Sequence, residues 1–383
     1  KRLVQSADAV LLLGRVPVPY SGHLHPDGHV DHSGAWPADV FYGTGEVGWT
    51  DSSVNHTNEK VAARQHNVPG DGKFDQSEIP SPVVRAVGRV DFQRLAVFGV
   101  DELTLLRRYL DRLHAYRQCE LPVDARGWVQ DNFYGHAEHF AYTGWQNLTT
   151  VLGAENVATA EWPNFPAKMQ LFFAGCGSGG PDWMAGFGHT HDLVKRPLNA
   201  VFTFLFGSYF GDWDSSGNLM RGALASDGGA LTCGWAGRPH WYLHPMAMGA
   251  TIGDCLMLTQ NNGHGGYQPT GAFPRGVHIA LLGDPTLRMH RVPPPKELRV
   301  SPRPRGMHLS WRGSTGRYHV YRATIEFGAY ERLTTEPVSE CEFIDVAGKP
   351  GNHYLVRAVV LQQTPAGSYF NASQGAMSKE APR

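Results

Sequence analysis

Two glycine-framed segments hold the side chains best suited to covalent chemistry: Phe173-Ala-Gly-Cys-Gly-Ser178 and Phe206-Gly-Ser-Tyr-Phe-Gly-Asp-Trp213. Each follows an apolar run, so the Cys176 thiol and the Ser208 hydroxyl are expected just beyond strand ends, where open α/β sheets collect their function. Either group becomes a nucleophile only beside a base. His189 and His191, in Gly-His-Thr-His-Asp, are the histidines nearest in sequence among 19. Asp212 and Asp214 follow Ser208, and Arg238 lies beyond a later strand. In an active enzyme Asp212 would orient a base; the competing reading has it cap the helix near Leu219 or pair with Arg221.

A second pattern suits a cation. In Asn67-Val-Pro-Gly-Asp-Gly-Lys-Phe-Asp-Gln-Ser-Glu78, the residues Asn67, Asp71, Lys73 (through its carbonyl), Asp75 and Glu78 fall at the oxygen-donor positions of an EF-hand-type loop. Gly72 sits where the sharp turn needs it. Pro69 removes one ligand, and the competing reading is an ordinary Asp-Gly turn. The expectation is a structural calcium ion. Histidines also cluster at His23, His25, His29 and His32, with Asp27 and Asp31 between them. These are zinc or copper ligand types, but a flexible glycine-rich loop does not preorganise a site, and it is read as solvated. The pairs His136/His139 and His240/His244 are equally compatible with loop positions.

The elements that must position these residues are apolar and alternating. Ala9–Leu13, Val83–Val90, Gln170–Ala174, Val201–Phe206, Leu231–Trp235 and His278–Leu282 are near-continuous hydrophobic runs, as in parallel strands covered on both faces. Leu103, Leu106, Leu110 and Leu113 recur at helical spacing after Asp101-Glu102, and Leu219–Ala225 and Pro245–Gln260 are further helices. Residues 1–291 are therefore expected to form a layered α/β domain with a mostly parallel sheet, decorated by long loops such as Ser21–Trp36. After Val292-Pro-Pro-Pro295 the pattern changes. Short alternating strands with a Trp at 311 and Tyr354-Leu-Val-Arg-Ala predict an all-β sandwich over 296–383, similar to a fibronectin type III domain. The chain opens on Lys1 and enters a strand within a dozen residues, which predicts further sequence upstream.

In this order the segments resemble the gingipain-like cysteine peptidases, which share the caspase-like fold. Pro37-Ala-Asp-Val-Phe-Tyr-Gly43, Val87-Gly-Arg-Val90 and Leu282-Gly-Asp-Pro-Thr-Leu287 belong to the same resemblance, which covers most of residues 8–290. It implies a general-base histidine where this chain has Cys176 and a nucleophilic cysteine where it has Ser208, with the Gly177 N–H facing the oxyanion. Both dyad positions are thus substituted. A thiol with an ordinary pKa near 8.5 is a poor base at pH 7, so the resemblance implies a degenerate, non-catalytic peptidase homologue.

Composition narrows the classes further. With 34 Lys+Arg against 35 Asp+Glu, the chain lacks the cation excess a nucleic-acid binder needs. No apolar run reaches the length of a membrane span. Five scattered cysteines do not make a disulfide framework. Three functions follow as expectations. The first is a secreted or envelope-associated scaffold that binds a protein or cell-surface partner. The second is an active cysteine- or serine-type endopeptidase with a rearranged site. The third is a calcium-dependent carbohydrate or matrix binder using the aromatic loops 211–213 and 235–241. A histidine within reach of Cys176 or Ser208 separates the second from the first.

Overall fold

The computed structural model describes residues 7–45, 47–136, 140–159, 161–162, 164–235, 241–263, 273–313, 315–326 and 328–378. The chain divides into two compact units, one of residues 1–113 and 123–289, the other of 114–122 and 290–383.

The first unit is built on an eight-stranded sheet. Its strands, in chain order, are β1 (Ala9–Leu13), β2 (Ala86–Val90), β3 (Asp124–Asp131), β4 (Val157–Thr159), β5 (Gln170–Cys176), β6 (Ala200–Phe206), β7 (Thr232–Trp235) and β8 (Ala280–Gly283). Their spatial order is β1-β2-β8-β7-β6-β5-β3-β4. All neighbours run parallel except β7 and β8, which meet antiparallel. The fold is therefore α/β with a mostly parallel sheet. β5 and β6 are buried along nearly their whole length, which is why their sequences are continuously apolar and not alternating.

Among the described residues, four α-helices accompany the sheet. α1 (Glu102–Arg117) starts where the Asp101 carboxylate accepts the Thr104 N–H at 2.8 Å. α2 (Ala141–Leu152) packs on β3 and β5, and Gly144 allows the close approach, because a Cβ there would stand 2.9 Å from that of Ala174. α3 (Leu219–Ala225) is capped by the Asn218 side chain and packs on β7 and β8. α4 (Ile252–Asn261) carries a Thr251/Asp254 capping box. The single helix expected over Pro245–Gln260 is thus broken. A 3-10 turn over His244–Met248 ends at Gly249 in a left-handed conformation, and the α-helix starts only at Ile252.

The segment Ser21–Trp36 is not simply a loop. Tyr20–Leu24 and Gly34–Pro37 pair antiparallel, and the histidine-rich residues 25–33 form their connection.

The second unit is a β-sandwich. β9 (Lys296–Arg303), β10 (Gly306–Arg312) and β12 (Glu342–Asp345) form one sheet, and β11 (Tyr318–Ala323), β13 (His353–Thr364) and β14 (Gly367–Ala372) form the core of the other. Leu309, Trp311, Tyr318, Val320, Tyr354 and Val356 fill the space between them.

Candidate functional site

β5 and β6 lie in register, with Cys176 beside Phe206, so the loops that follow them leave the sheet side by side. Gly207 is required there, because a Cβ would stand 2.6 Å from the Gly177 carbonyl oxygen. Ser208 follows, half-buried. Tyr209 then takes φ +66°, an uncommon conformation for a bulky residue. The strand therefore ends in a sharp, strained turn with the hydroxyl at its apex.

Facing that hydroxyl is His29, not His189 or His191. His29 Nε2 lies 3.0 Å from Ser208 Oγ, 179 residues away in sequence. Among the described residues, the Ser208 N–H donates to no acceptor.

The two loops are held together by Asp27, whose side chain is fully buried. One of its oxygens accepts the His29 backbone N–H at 3.2 Å. The other accepts the Tyr209 N–H at 3.3 Å and contacts His32 Nδ1. The His32 ring packs on Tyr209 with centroids 3.4 Å apart. His25 and Ser33 close the connection through a side-chain contact of 3.1 Å. The expectation of a solvated loop is overturned at Asp27, His32 and Ser33, which are buried; His29 itself is exposed. A signal was present in the sequence, since a carboxylate among four histidines is an ion-pair candidate. Nothing in the sequence shows that its second partner is the backbone of Tyr209.

Cys176 is positioned for packing. Its thiol is buried, 3.6 Å from both the Gln130 carbonyl and Asp131 Oδ1. Burial first, and then the Asp131 charge, push the thiol pKa well up, the reverse of what a nucleophilic cysteine needs. The Gly177 N–H donates to the Phe206 carbonyl at 3.1 Å, so the oxyanion-facing role expected for it is corrected.

Asp212 is buried and paired with Arg64; among the described residues it meets no histidine and makes no hydrogen bond to Arg221. Burial pushes its carboxyl pKa up against the pull of Arg64. Asp214 accepts from Arg15 at 2.5 Å, Arg94 at 2.7 Å and Tyr20 at 3.0 Å. These pairs pin the segment after Ser208 and leave Asp212 no role on a base. His189 lies elsewhere, 3.9 Å from Asp182 with its ring against His191. Arg238, His240 and His139 fall outside the described residues.

The residues of the expected calcium loop do not converge. Asp75 takes the N–H groups of Ser52, Ser53 and Val54 at 2.8–3.0 Å and the Thr50 hydroxyl at 2.7 Å. Burial alone would raise its pKa, yet these donors hold it well below the usual carboxylate range. Asp71 accepts the Val68 N–H and the Lys73 ammonium. The Asn67 amide donates to the Gly22 and Phe74 carbonyls, and Glu78 pairs with Arg275 at 3.3 Å. The Gly70 and Gly72 amides donate to Asp51, which closes the turn. The Asp71 and Asp75 oxygens, already accepting N–H donors, are a poor fit to a calcium ion, whereas the buried Asn67 side-chain oxygen has no hydrogen-bond partner. Among the described residues, no group of three or more His, Cys, Asp or Glu is arranged to hold a metal, and no helix is long and apolar enough to cross a membrane.

No protein-family description and no curated relative matches the chain. Solved structures do show a likeness. The Arg-specific cysteine proteinase gingipain R is 11% identical, with 99% of this chain and 86% of that chain covered, at a TM-score of 0.40. The complex of the Porphyromonas gingivalis RgpB pro- and mature domains is also 11% identical, covering 99% and 88%, at 0.41. A Fn3-like protein from Clostridium thermocellum is 22% identical over 22% of this chain and 90% of its own, at 0.17.

Proposed function

We propose that this protein is a peptidase-related hydrolase of the serine type, with Ser208 as nucleophile and His29 as general base. The observation that supports the reading is the 3.0 Å separation of His29 Nε2 and Ser208 Oγ. That distance is within the reach required for proton transfer. In the first half-reaction, Ser208 Oγ attacks a carbonyl carbon as its proton passes to His29 Nε2. The oxyanion faces the unengaged Ser208 N–H, and His29 returns the proton to the departing amine or alcohol. Water, deprotonated by the same imidazole, then cleaves the acyl-enzyme. Asp27 acts at one remove, as a positioning residue that fixes the His29 backbone relative to the Ser208 turn.

The test is labelling by a fluorophosphonate, read by intact mass, together with turnover of an activated ester and of a diverse peptide library. Ser208→Ala is expected to abolish both labelling and turnover. His29→Ala is expected to reduce the rate by about 10²-fold or more, while Cys176→Ala remains active. Absence of label and turnover in the folded wild-type protein, or label that survives Ser208→Ala, overturns the reading.

One observation favours the second reading, a non-catalytic scaffold. The Gly177 N–H is engaged by Phe206 and leaves the oxyanion a single backbone donor. In that reading the sandwich unit and the loops of the first unit bind a protein or cell-surface partner outside the cytoplasm. Affinity capture that is unchanged by Ser208→Ala, in a protein without turnover, is its expected signature.

A further inference from the structure

Two exposed histidines from different segments of the first unit stand against each other. The ring centroids of His23 and His56 lie 3.7 Å apart, with the ring planes inclined at 45°. Among the described residues, no ring nitrogen of either makes a hydrogen bond or an ion pair. The backbones beneath them are fixed. His23 lies in the strand Tyr20–Leu24, and its N–H donates to the Ser77 hydroxyl at 2.9 Å. His56 and Asn67 exchange backbone hydrogen bonds of 2.7 and 2.9 Å, and the Asn67 amide reaches across to the Gly22 carbonyl at 3.1 Å. The two imidazoles are thus presented by segments that are tied together through Asn67.

The other neighbouring histidines are engaged. His29 faces Ser208, His32 faces Asp27, and His25 Nδ1 meets the Ser33 hydroxyl at 3.1 Å. The His189 and His191 rings are nearly parallel at 18°, with carboxylates 3.9 and 3.4 Å away. The angle matters, because an imidazole binds a metal through a nitrogen lone pair lying in the ring plane. Parallel rings cannot share an ion. Planes inclined at 45° converge on one side, where an ion faces both rings edge-on. Both side chains are exposed, and the broad two-fold χ2 preference of histidine lets a nitrogen turn to that side. Burial first, and then His56 and His25, lower the His23 pKa, which favours the neutral, ligating ring.

We propose that His23 and His56 are the two protein ligands of a divalent transition-metal site, with water completing the coordination shell. Two imidazoles suit copper and zinc, with copper(II) the tighter of the two, and do not suit magnesium, which takes oxygen ligands. The site is independent of the Ser208 reading, since neither ligand belongs to the proposed catalytic pair.

The full chain, freed of metal with a chelator, is titrated with zinc(II) and then copper(II) chloride by calorimetry near neutral pH. One site per chain is expected to stand out above the background of the remaining histidines, and excess magnesium is expected to leave the titration unchanged. His23→Ala and His56→Ala are each expected to weaken that site by about tenfold or more, because losing one ligand turns a chelate into a single contact. The double variant is expected to fall within about twofold of either single variant, for the same reason. His191→Ala, at an exposed histidine outside the pair, serves as the control with the site retained. Metal-free thermal midpoints are expected to coincide for all variants, so that a lost site is separated from a lost fold. A chain that binds no more tightly than the double variant overturns the proposal. So does a tightest site that survives either single change, zinc held more tightly than copper, or single losses that multiply in the double variant, since each histidine would then hold metal alone.

Discussion

At the scale of single residues, two buried carboxylates decide how the loops over the sheet are arranged. Asp27 holds the His29 and Tyr209 amides and the His32 ring on one side chain. Asp27→Asn keeps one acceptor oxygen and nearly the same volume. On the serine-hydrolase reading proposed above, its expected effect is a kcat lowered tenfold or more with KM little changed, because the His29–Ser208 spacing loosens while substrate contacts remain; a general loss of folding would not produce that split. Asp75 plays the corresponding part for residues 50–54. Its folded pKa is depressed, so its contribution to stability is fully present above the ordinary carboxylate range and is lost as pH falls through and below it. Asp75→Asn is expected to destabilise the protein at pH 7 and to flatten the fall in thermal midpoint between pH 5 and pH 3, roughly the range where an unfolded carboxylate titrates. Added calcium is expected to leave the midpoint unchanged, since the Asp71 and Asp75 oxygens already accept N–H donors, and a calcium-dependent rise in the midpoint would restore the calcium reading. Residue types told part of this in advance. Ser208 stands out through its glycine frame, whereas its partner does not, because nothing local marks His29 among 19 histidines. The spacing that suggested calcium is real, but Asp75 points its charge at a neighbouring turn.

At the scale of elements, legibility followed burial. β5 and β6 are enclosed on both faces, and their sequences announce it. β3, with Asp-Ala-Arg-Gly-Trp-Val-Gln-Asp, is half exposed along its first residues and reads as polar, so it escapes a search for apolar runs. α2 is missed for a similar reason, its buried positions being spread among Thr, Gln and Asn. The change of direction between β7 and β8 has no sequence signature at all, because both are short buried runs. The seam where β2 meets β8 is tight: a Cβ on Gly88 would stand 2.1 Å from the Gly283 carbonyl oxygen. Gly88→Ala must push those backbones apart, and a loss of about 3 kcal/mol or more is expected in denaturant unfolding of the first unit. Gly70→Ala, with open space at its Cβ, serves as a control in which only the left-handed backbone is strained.

At the scale of the whole molecule, the proline-rich change of character near 292 falls close to the division between the two compact units, but the second unit also takes in residues 114–122. That segment begins with the last turn of α1, whose leucine pattern belongs to the first domain, and continues into the turn after it, so no composition shift marks it. Within the second unit, Arg291 donates to the Tyr116 and Leu121 carbonyls at 3.0 Å each and lies over the Tyr116 ring at 4.3 Å. Arg291→Ala is expected to lower the melting transition of that unit by about 1–2 kcal/mol, with the other transition unmoved in calorimetry. The span of 179 residues between His29 and Ser208 also has a consequence for biosynthesis. The imidazole leaves the ribosome long before the hydroxyl exists, and the contact closes only after β6 has been laid beside β5. A nascent chain released before Ser208 therefore carries the histidine without its partner, and on the reading proposed above hydrolytic competence waits until β6 and the turn after it have been made and packed.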